Sequence, residues 1–480
     1  MVCNKGYCYM KIEMRKILVV VVFSICFVSV AWADLAQKIN SIVSQSSQRK
    51  VKFSICIVKA DTGQAVYSHN AYKALVPASN MKIIVTAAAL KYLGADYEYK
   101  TEVGLCGNTI VVKGSGDPLL GDVVTDRKYS REDGWVFKDI AVLLKRNNVI
   151  AAKDIVVDSS IFDDQRVHPN WPVKDLNRWY ACEVSGLNFN GNCIDVAAKN
   201  NGGKTTIVIT PETSFVQIVN KVIPISKGNS VAGSYRDGEL NKIVVYGKCR
   251  DKTGPFPVAI ERPAVFFGYL LAEELVSAGI KLDGQLIEKV ADPDCDFNKL
   301  VEYRSSISDC LARCNKNSFG LAAEALLKTI AVHSKHGGEG ENGSWTEGQR
   351  VISEYLAGLG IGKKEFHIDD GSGLSRQNKL SANVITKVLY DVYKNGDWEL
   401  YRKSLAVGGI DGTISKYFKE GKYKGKVFGK TGYINGVKSF SGFCSTQKGD
   451  YIFSILANNA KGQTRSVINN IVKAIIDFDT

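Results

Sequence analysis

Residues 77–94 read PASNMKIIVTAAALKYLG, and this stretch decides how the chain is interpreted. Pro77 and Ser79 precede a strongly apolar, alanine-rich run from Met81 to Leu93, and Gly94 follows it. Proline and serine are typical of helix starts, and glycine is typical of helix ends. The pattern therefore predicts a buried helix over Met81 to Leu93, with Ser79 just before it.

Ser79 and Lys82 stand three residues apart at the start of this helix, so their side chains share one face. A serine hydroxyl becomes a nucleophile when a base takes its proton, and a lysine can be that base when burial lowers its pKa. The same spacing recurs at Ser47 and Lys50, but within a polar run. The apolar surroundings favour Ser79 and Lys82 as the catalytic pair.

A Lys-Thr-Gly triplet occurs twice in the chain, at 430–432 and at 252–254. The first copy precedes a predicted strand from Val437 to Cys444. There its lysine and threonine can bind a carboxylate, and its glycine lets a substrate backbone approach. The second copy continues into Pro255 and Pro257, which predicts a turn without a functional role.

Together these motifs resemble the penicillin-binding, serine-acylating family, which carries S-x-x-K, S-x-N and K-T-G motifs. More narrowly, almost the whole chain after the leader is similar to the peptidase S13 group, the D-alanyl-D-alanine carboxypeptidases and endopeptidases of the PBP4 type. Further segments that resemble this group are GSGDP at 114–118, AE at 323–324, DGSGLSR at 370–376, GIDGT at 409–413 and GVKSFSG at 436–442.

The chain departs from the family pattern at two positions. Aligning on Ala323-Glu324 places the S-x-N motif at Ser318-Phe319-Gly320, so the serine is present and the asparagine is not. In the family that asparagine helps to hold the catalytic lysine and the substrate amide, and glycine has no side chain for this. Asn317 or Asn315 would replace it only if the loop were shifted. Tyr433 stands where the family usually has threonine.

The resemblance implies acyl transfer in two steps, with no cofactor and no metal. Ser79, deprotonated by Lys82, would attack the bond between two D-alanines or a peptide cross-link, with the backbone N–H groups of Ser79 and Tyr433 holding the oxyanion. Ser318 would relay the proton to the leaving amine. Lys430 and Thr431 would grip the terminal carboxylate, beside Gly432.

The expected partners are peptidoglycan stem peptides and β-lactam antibiotics, and a β-lactam would leave a stable adduct on the nucleophile. Because Gly320 replaces the asparagine, the alternative is a catalytically impaired scaffold or peptidoglycan-binding protein with the same fold. Glu324 on its helix, and Asp370 and Asp411 in glycine-rich turns, are interpreted as structural. Trp171 and Tyr180 either pack internally or line a glycan-facing surface.

The expected fold class is α/β, a penicillin-binding transpeptidase-like domain with an antiparallel sheet and helices on both faces. A texture of short strands predicts that a β-rich insert of two small subdomains interrupts it. The predicted divisions are a signal peptide over 1–33, the peptidase domain over 34–96 and 264–480, and the insert over 97–263. Helices are predicted at Val265 to Ala278, Leu321 to His333, Thr346 to Leu359, Ala382 to Tyr393 and Val467 to Ile476, and strands at Val51 to Val58, Thr109 to Lys113, Ile155 to Asp158, Thr205 to Thr210, Lys242 to Gly247, Gly425 to Gly429 and Tyr451 to Ala457.

The start of the chain predicts export to the periplasm or cell envelope. Lys11, Arg15 and Lys16 precede an apolar run from Ile17 to Val30, and Ala31-Trp32-Ala33 offers small residues for cleavage. The apolar run is shorter than the ~20 residues that span a bilayer, so no stable membrane span is expected after cleavage. The net charge of +13 suits work beside an anionic polymer, but the basic residues are scattered and do not indicate nucleic acid.

The cysteines and histidines do not predict a metal site. Of the twelve cysteines, Cys3, Cys8 and Cys26 lie in the leader, and the odd number left implies at least one free thiol. Cys182 and Cys193 are predicted either to close a short loop or to remain two buried thiols. The five histidines show no metal-ligand spacing.

Overall fold

The structure is a computed structural model that describes residues 33–334 and 342–478. The predicted signal peptide lies outside the described residues, apart from its last position. The helices of the described residues, α1 to α11 in chain order, span 33–43, Met81–Leu93, Val123–Lys128, Trp135–Arg146, Pro263–Ser277, Ile307–Lys316, Gly320–His333, Trp345–Gly358, Ala382–Asn395, Trp398–Ser404 and Thr464–Phe478. Its strands, β1 to β21, span Lys52–Lys59, Ala65–His69, Glu98–Cys106, Thr109–Lys113, Ala151–Ala152, Ile155–Asp158, Cys193–Asn201, Lys204–Thr210, Gln217–Pro224, Val231–Arg236, Lys242–Cys249, Lys252–Ala259, Lys281–Leu282, Leu286–Glu288, Phe297–Ser306, Phe366–His367, Lys379–Leu380, Ala406–Val407, Val427–Ile434, Val437–Thr446 and Gly449–Asn458.

The main sheet joins both ends of the described chain. Its strand order is β18-β19-β20-β21-β1-β2, and every neighbouring pair is antiparallel. Strand β1, from the beginning of the chain, pairs along its whole length with β21 near the end. The expected antiparallel penicillin-binding sheet is therefore confirmed, and residues hundreds of positions apart share it.

Both faces of the main sheet are covered, which explains why β1 is apolar on both sides. Successive strand side chains point to opposite faces. Accordingly Cys56 and Val58 pack with helices α2, α6, α7, α8 and α9, whereas Ile55 and Ile57 pack with α1 and α11. Helix α2 lies in the first of these layers and is buried from Met81 to Leu90. The predicted helix over Met81 to Leu93 is confirmed with those bounds.

The chain between β3 and β15 forms a separate set of sheets. A five-stranded sheet has the order β14-β6-β4-β3-β15, and two three-stranded sheets have the orders β12-β7-β8 and β10-β11-β9. Their core is distinct from the cores of the main sheet. The predicted strands at 109–113 and 155–158 have the bounds of β4 and β6.

The insert also contains helices that the β-rich interpretation missed. Helix α4 buries one face, formed by Val136, Phe137, Ile140, Ala141 and Leu144. This spacing is helical, and the short strands on either side obscured it.

Packing bears on where the insert ends. Helix α5 packs against α4, β6 and β14, and β15 pairs antiparallel with β3. The predicted boundary at 263 stays a prediction, and these contacts favour an insert that continues to the end of β15.

Two local interpretations of the sequence were wrong. The triplet at 252–254 was predicted to be a turn, but it opens strand β12, with a register shift between Thr253 and Phe256. The shift accommodates the proline that follows, since proline cannot donate to a strand ladder. The triplet at 430–432 does precede strand β20, as predicted, but it lies inside strand β19, which was predicted to end at Gly429 and continues to Ile434.

Most cysteines in the described residues are buried thiols that form no disulfide. Cys182 and Cys193 are separate buried thiols, as one of the two alternatives had it. A disulfide that the sequence did not predict joins Cys106, at the end of β3, to Cys295, just before β15.

Candidate active site

A cleft of about 680 Å³ opens where the main sheet, the start of α2 and the insert meet. Its lining residues are Ser79, Lys82, Pro172, Lys174, Asp175, Trp179, Tyr180, Asn317, Ser318, Gly320, Ser372, Gly373, Leu374, Arg376, Thr413, Thr431, Tyr433, Ile434 and Asn435. Most of the residues predicted for the site therefore share one cavity. Lys430 and Gly432 lie in the same strand as Thr431 and are buried.

Ser79 lies in a single 3-10 turn, Ala78–Asn80, that leads directly into α2. Its hydroxyl is 3.3 Å from the amine of Lys82, which is 2% exposed. Ala78, just before it, has a left-handed φ of 48°, which is uncommon for a residue with a side chain. The turn therefore presents a half-buried hydroxyl to the cleft with a buried amine directly beneath it.

The amine of Lys430 is placed next to Ser318 across the cleft. It donates hydrogen bonds of 2.8 Å to Ser318 Oγ and to the carbonyl of Thr431. Ser318 sits in the short connection between α6 and α7 with a left-handed φ of 62°. The hydroxyl of Thr431 donates to that of Thr413 at 2.9 Å. The hydroxyls of Ser79 and Ser318 and the amines of Lys82 and Lys430 thus come together at this cleft. They belong to three distant parts of the sequence.

Strand β19 is fixed against the serine turn by a buried amide. Asn80 donates from Nδ2 to the carbonyl of Lys430 at 2.7 Å and accepts from Ser441 Oγ at 2.7 Å. A side chain at Gly432 would overlap Ser439 Oγ and lie 3.0 Å from Ser79 N. Glycine is therefore needed there for the strand to pass so close to the nucleophile.

The outer edge of β19 is open beside the cleft. The short strand β18 pairs only with Phe428 and Gly429, so in the described residues no strand covers the edge from Lys430 to Ile434. An extended peptide can pair with such an edge through main-chain hydrogen bonds.

Burial lowers the pKa of both lysines. It lowers the pKa of Lys82, although the nearby Cys314, Glu324 and Asp370 act in the opposite direction. Burial also holds the pKa of Lys430 well below its usual value, and the positive charge of Lys82 reinforces this. A neutral amine has a lone pair that can accept the proton of a serine hydroxyl.

At Gly320, where the family has asparagine, the backbone of Tyr180 crowds one side of the position. A Cβ at Gly320, the first residue of α7, would lie 3.1 Å from the carbonyl oxygen of Tyr180. Asn315 is fully buried and donates to Thr86 and Ser404, away from the cleft. Asn317 lines the cleft next to Ser318.

The amine of Lys82 has a different fixed partner. It donates to the carbonyl of Ser372 at 2.6 Å, which is shorter than its contact with Ser79. Ser372 belongs to the segment DGSGLSR at 370–376, which carried the family resemblance but had no assigned role. Thr413 and Asn80 were likewise parts of matched segments whose functions the sequence left open.

The remaining predicted residues divide between the cleft and the core. The Tyr433 side chain is 69% exposed at the rim. Trp171 is buried and donates to Asp370 at 2.9 Å, whereas Tyr180 lines the cleft. Asp370 anchors its own turn, as predicted, by accepting from the backbone N–H of Gly373 and Ser375.

The second copies of the two motifs lie elsewhere. Ser47 and Lys50 are exposed near the start of the described chain, and Lys252 is exposed on the insert. Within residues 33–334 and 342–478, no group of histidine, cysteine and acidic side chains could hold a metal ion.

Solved structures identify the class of the fold, which is that of the penicillin-binding proteins. Penicillin-binding protein 4 (DacB) from Haemophilus influenzae superposes with a TM-score of 0.75 at 21% identity, covering 93% of this chain and 98% of that chain. The predatory endopeptidase Bd0816 from Bdellovibrio bacteriovorus superposes with a TM-score of 0.52 at 16% identity, over 89% of this chain and 94% of that chain.

Comparisons of the amino-acid sequence identify the family within this fold class. The D-alanyl-D-alanine carboxypeptidase of Actinomadura sp. (strain R39) is 26% identical over 92% of this chain and 84% of its own length. The family of D-Ala-D-Ala carboxypeptidase 3 (S13) matches residues 35–479. This chain belongs to that peptidase S13 family and is a serine-type carboxypeptidase, as its motifs predicted.

Proposed function

We propose that this enzyme cleaves the D-Ala-D-Ala bond of peptidoglycan stem peptides through an acyl-enzyme on Ser79. The observation that carries the proposal is the contact of 3.3 Å between Ser79 Oγ and the buried amine of Lys82. Burial lowers the pKa of Lys82, which favours the neutral amine that a general base must be. The nucleophile and its base thus come from one helix start.

The reaction begins with proton transfer from Ser79 Oγ to Lys82 Nζ while Oγ forms a bond to the scissile carbonyl carbon. The backbone N–H groups of Ser79 and Tyr433 stabilise the negative charge on the carbonyl oxygen. When the tetrahedral intermediate collapses, the C–N bond breaks, and Ser318 relays to the departing amine the proton that Lys82 accepted, which leaves Lys82 neutral again. Water then attacks the ester and restores the hydroxyl of Ser79.

Substrate binding is assigned to strand β19. The amine of Lys430 and the hydroxyl of Thr431 donate hydrogen bonds to the terminal carboxylate of the second D-alanine. Gly432 lets the peptide backbone lie against the open edge of the strand, where Tyr433 forms the rim. A peptide cross-link also presents an amide carbonyl that Ser79 can attack, so we include endopeptidase activity in the proposal.

The same geometry accounts for inhibition by β-lactams, whose strained amide would acylate Ser79 and leave a slowly hydrolysed ester. We also propose that the chain is exported to the periplasm or cell envelope, where its substrate lies. This part rests on the apolar run from Ile17 to Val30 and the small residues that follow it.

A second candidate function is a peptidoglycan-binding scaffold of the same fold. It is favoured by Gly320, which offers no side chain where the family has an amide. The two candidates differ in chemistry, because a scaffold would bind stem peptides without forming an ester on Ser79.

The test uses the exported full chain, fluorescent penicillin and purified cell-wall fragments. The native chain and Ser47→Ala should be labelled equally, and Ser79→Ala should not be labelled. Mass spectrometry should place the adduct on the peptide that contains Ser79, and digestion should release D-alanine. Folded native protein that gains no label and releases no product would instead support the scaffold.

A further inference from the structure

A buried carboxylate on α7 holds the loop that contacts Lys82. Glu324 accepts from the backbone N–H of Ser372 at 2.7 Å through Oε1 and from that of Gly371 at 2.8 Å through Oε2. Its Oε2 also accepts from Trp345 Nε1 at 2.8 Å. Glu324 is 1% exposed, so its charge is matched by three N–H donors instead of water.

The loop that Glu324 holds touches Lys82 and the residue that precedes Ser79. The carbonyl of Ser372 accepts from Lys82 Nζ at 2.6 Å. A side chain at Gly373, whose φ is 81°, would overlap the carbonyl of Ala78, the residue before the nucleophile. Two hydrogen bonds through one residue, Ser372, therefore connect the carboxylate to the amine of Lys82.

The close approach of the loop to α7 depends on a glycine. A Cβ at Gly371 would lie 2.7 Å from the carbonyl of Ala323 and 3.1 Å from Glu324 Oε2. Only a residue without a side chain lets this backbone N–H reach the carboxylate. The backbone of the loop is thus built around the position of Glu324.

We propose that Glu324 is a positioning residue for Lys82: its carboxylate fixes the Gly371–Ser372 backbone so that the Ser372 carbonyl orients the amine toward Ser79. This rests on the proposed function. With one N–H of the neutral amine committed to Ser372, the lone pair is left to face the hydroxyl of Ser79. The carbonyl thereby provides the oxygen acceptor that Gly320 does not.

A positioning role of Glu324 and a purely electrostatic role predict opposite effects on the rate of acylation. The titratable groups that face Lys82 are Cys314 on α6, Glu324 on α7, Asp370 in the loop and Lys430 on β19. The negative charge of Glu324 raises the pKa of Lys82 and so opposes the effect of burial. Removing that charge increases the neutral fraction of the amine, so electrostatics alone predicts faster acylation.

The deciding variant is Glu324→Gln, which keeps the size of the side chain. One of its terminal atoms becomes an NH2 group that cannot accept from an N–H of the loop. If positioning dominates, acylation by penicillin slows by about 10²-fold, the order of effect expected for a displaced catalytic group. The rising limb of the pH profile should move to lower pH at the same time.

Two further variants keep the test decisive. Glu324→Asp retains the charge but withdraws it by one methylene, so it should also acylate slowly, with an unmoved pH limb. Trp345→Phe removes one donor from Glu324 but leaves both loop contacts, so its acylation rate should stay within about threefold of the native rate. Thermal unfolding of each variant checks that it is folded, and if Glu324→Gln does not fold, Glu324→Asp decides.

Each outcome has one meaning. Slow acylation by both Glu324 variants together with a near-native Trp345→Phe supports the inference. Native or faster acylation by Glu324→Gln, native acylation by Glu324→Asp, or an equal loss in Trp345→Phe overturns it and leaves the proposed function standing. A native chain that penicillin does not acylate removes the proposed function, and this inference with it.

Discussion

The two Lys-Thr-Gly triplets have the same letters and both lie in antiparallel strands, one in the main sheet and one in the insert. Lys430 is fully buried, and its amine donates to Ser318 and to the strand backbone. Lys252 is exposed at the beginning of β12. Burial changes the pKa of a lysine, and a solvated lysine keeps its charge. The chemical properties of a Lys-Thr-Gly triplet therefore depend on the residues that surround its lysine.

The two Ser-x-x-Lys sequences repeat this lesson. Ser47 and Ser79 both lie in short 3-10 turns, Ser46–Gln48 and Ala78–Asn80. After the first turn Lys50 faces solvent, whereas after the second Lys82 enters a buried helix. The local backbone is similar in the two places, so the difference in reactivity that we expect comes from what packs over the lysine.

The largest difference that we expect is between variants that remove the amine of each triplet lysine in turn. Lys430→Met keeps the apolar stem and should lower kcat/KM for a D-Ala-D-Ala peptide by ~10²–10³-fold, the order of effect of losing one preorganised polar group. Lys252→Met should leave kcat/KM unchanged. Steady-state hydrolysis measures both. Equal losses, or no loss in Lys430→Met, would contradict the distinction drawn between the two strands.

The pH dependence of acylation should distinguish Lys82 from a solvated lysine such as Lys50. Burial lowers the pKa of Lys82 from the usual 10.5, and only the neutral amine accepts the proton of Ser79. Protonation as the pH falls therefore removes the base, and the rate should fall about tenfold per pH unit below the pKa. The rate of penicillin acylation across pH should reach its plateau below pH 10.5. A rate that is still rising steeply as the pH reaches 10.5 would place Lys82 with the solvated lysines.

The smallest expected effect concerns the residue that most clearly departs from the family. Gly320→Asn restores the amide, but its Cβ would press on the carbonyl of Tyr180 at 3.1 Å, and Lys82 already has Ser372 as a partner. We expect digestion of cell-wall fragments to change by less than about tenfold, the scale of one hydrogen bond. Product masses from the native and variant chains measure this. A much larger gain would show that the missing amide limits the rate.

Regular elements were predicted well where their patterns are local. The helix over Met81 to Leu93 needed only a start signal, an apolar run and a glycine. Strand β19 was predicted to end at Gly429, since its second half carries polar residues that face the cleft. Helix α4 was missed because its apolar face is interleaved with polar positions in a region of short strands. Local sequence patterns thus predict secondary structure poorly in a strand that faces the cleft and in an amphipathic helix between short strands.

The family resemblance, the candidate nucleophile with its lysine, and most strands of the main sheet could be predicted from the amino-acid sequence, because each rests on a pattern of neighbouring residues. Only the tertiary structure decided that Lys430 meets Ser318, that Ser372 holds Lys82, and that Glu324 holds Ser372. These contacts join positions far apart in the chain, and the protonation of the lysines depends on water being excluded by all of them together. Spacing along a chain carries no information about that exclusion.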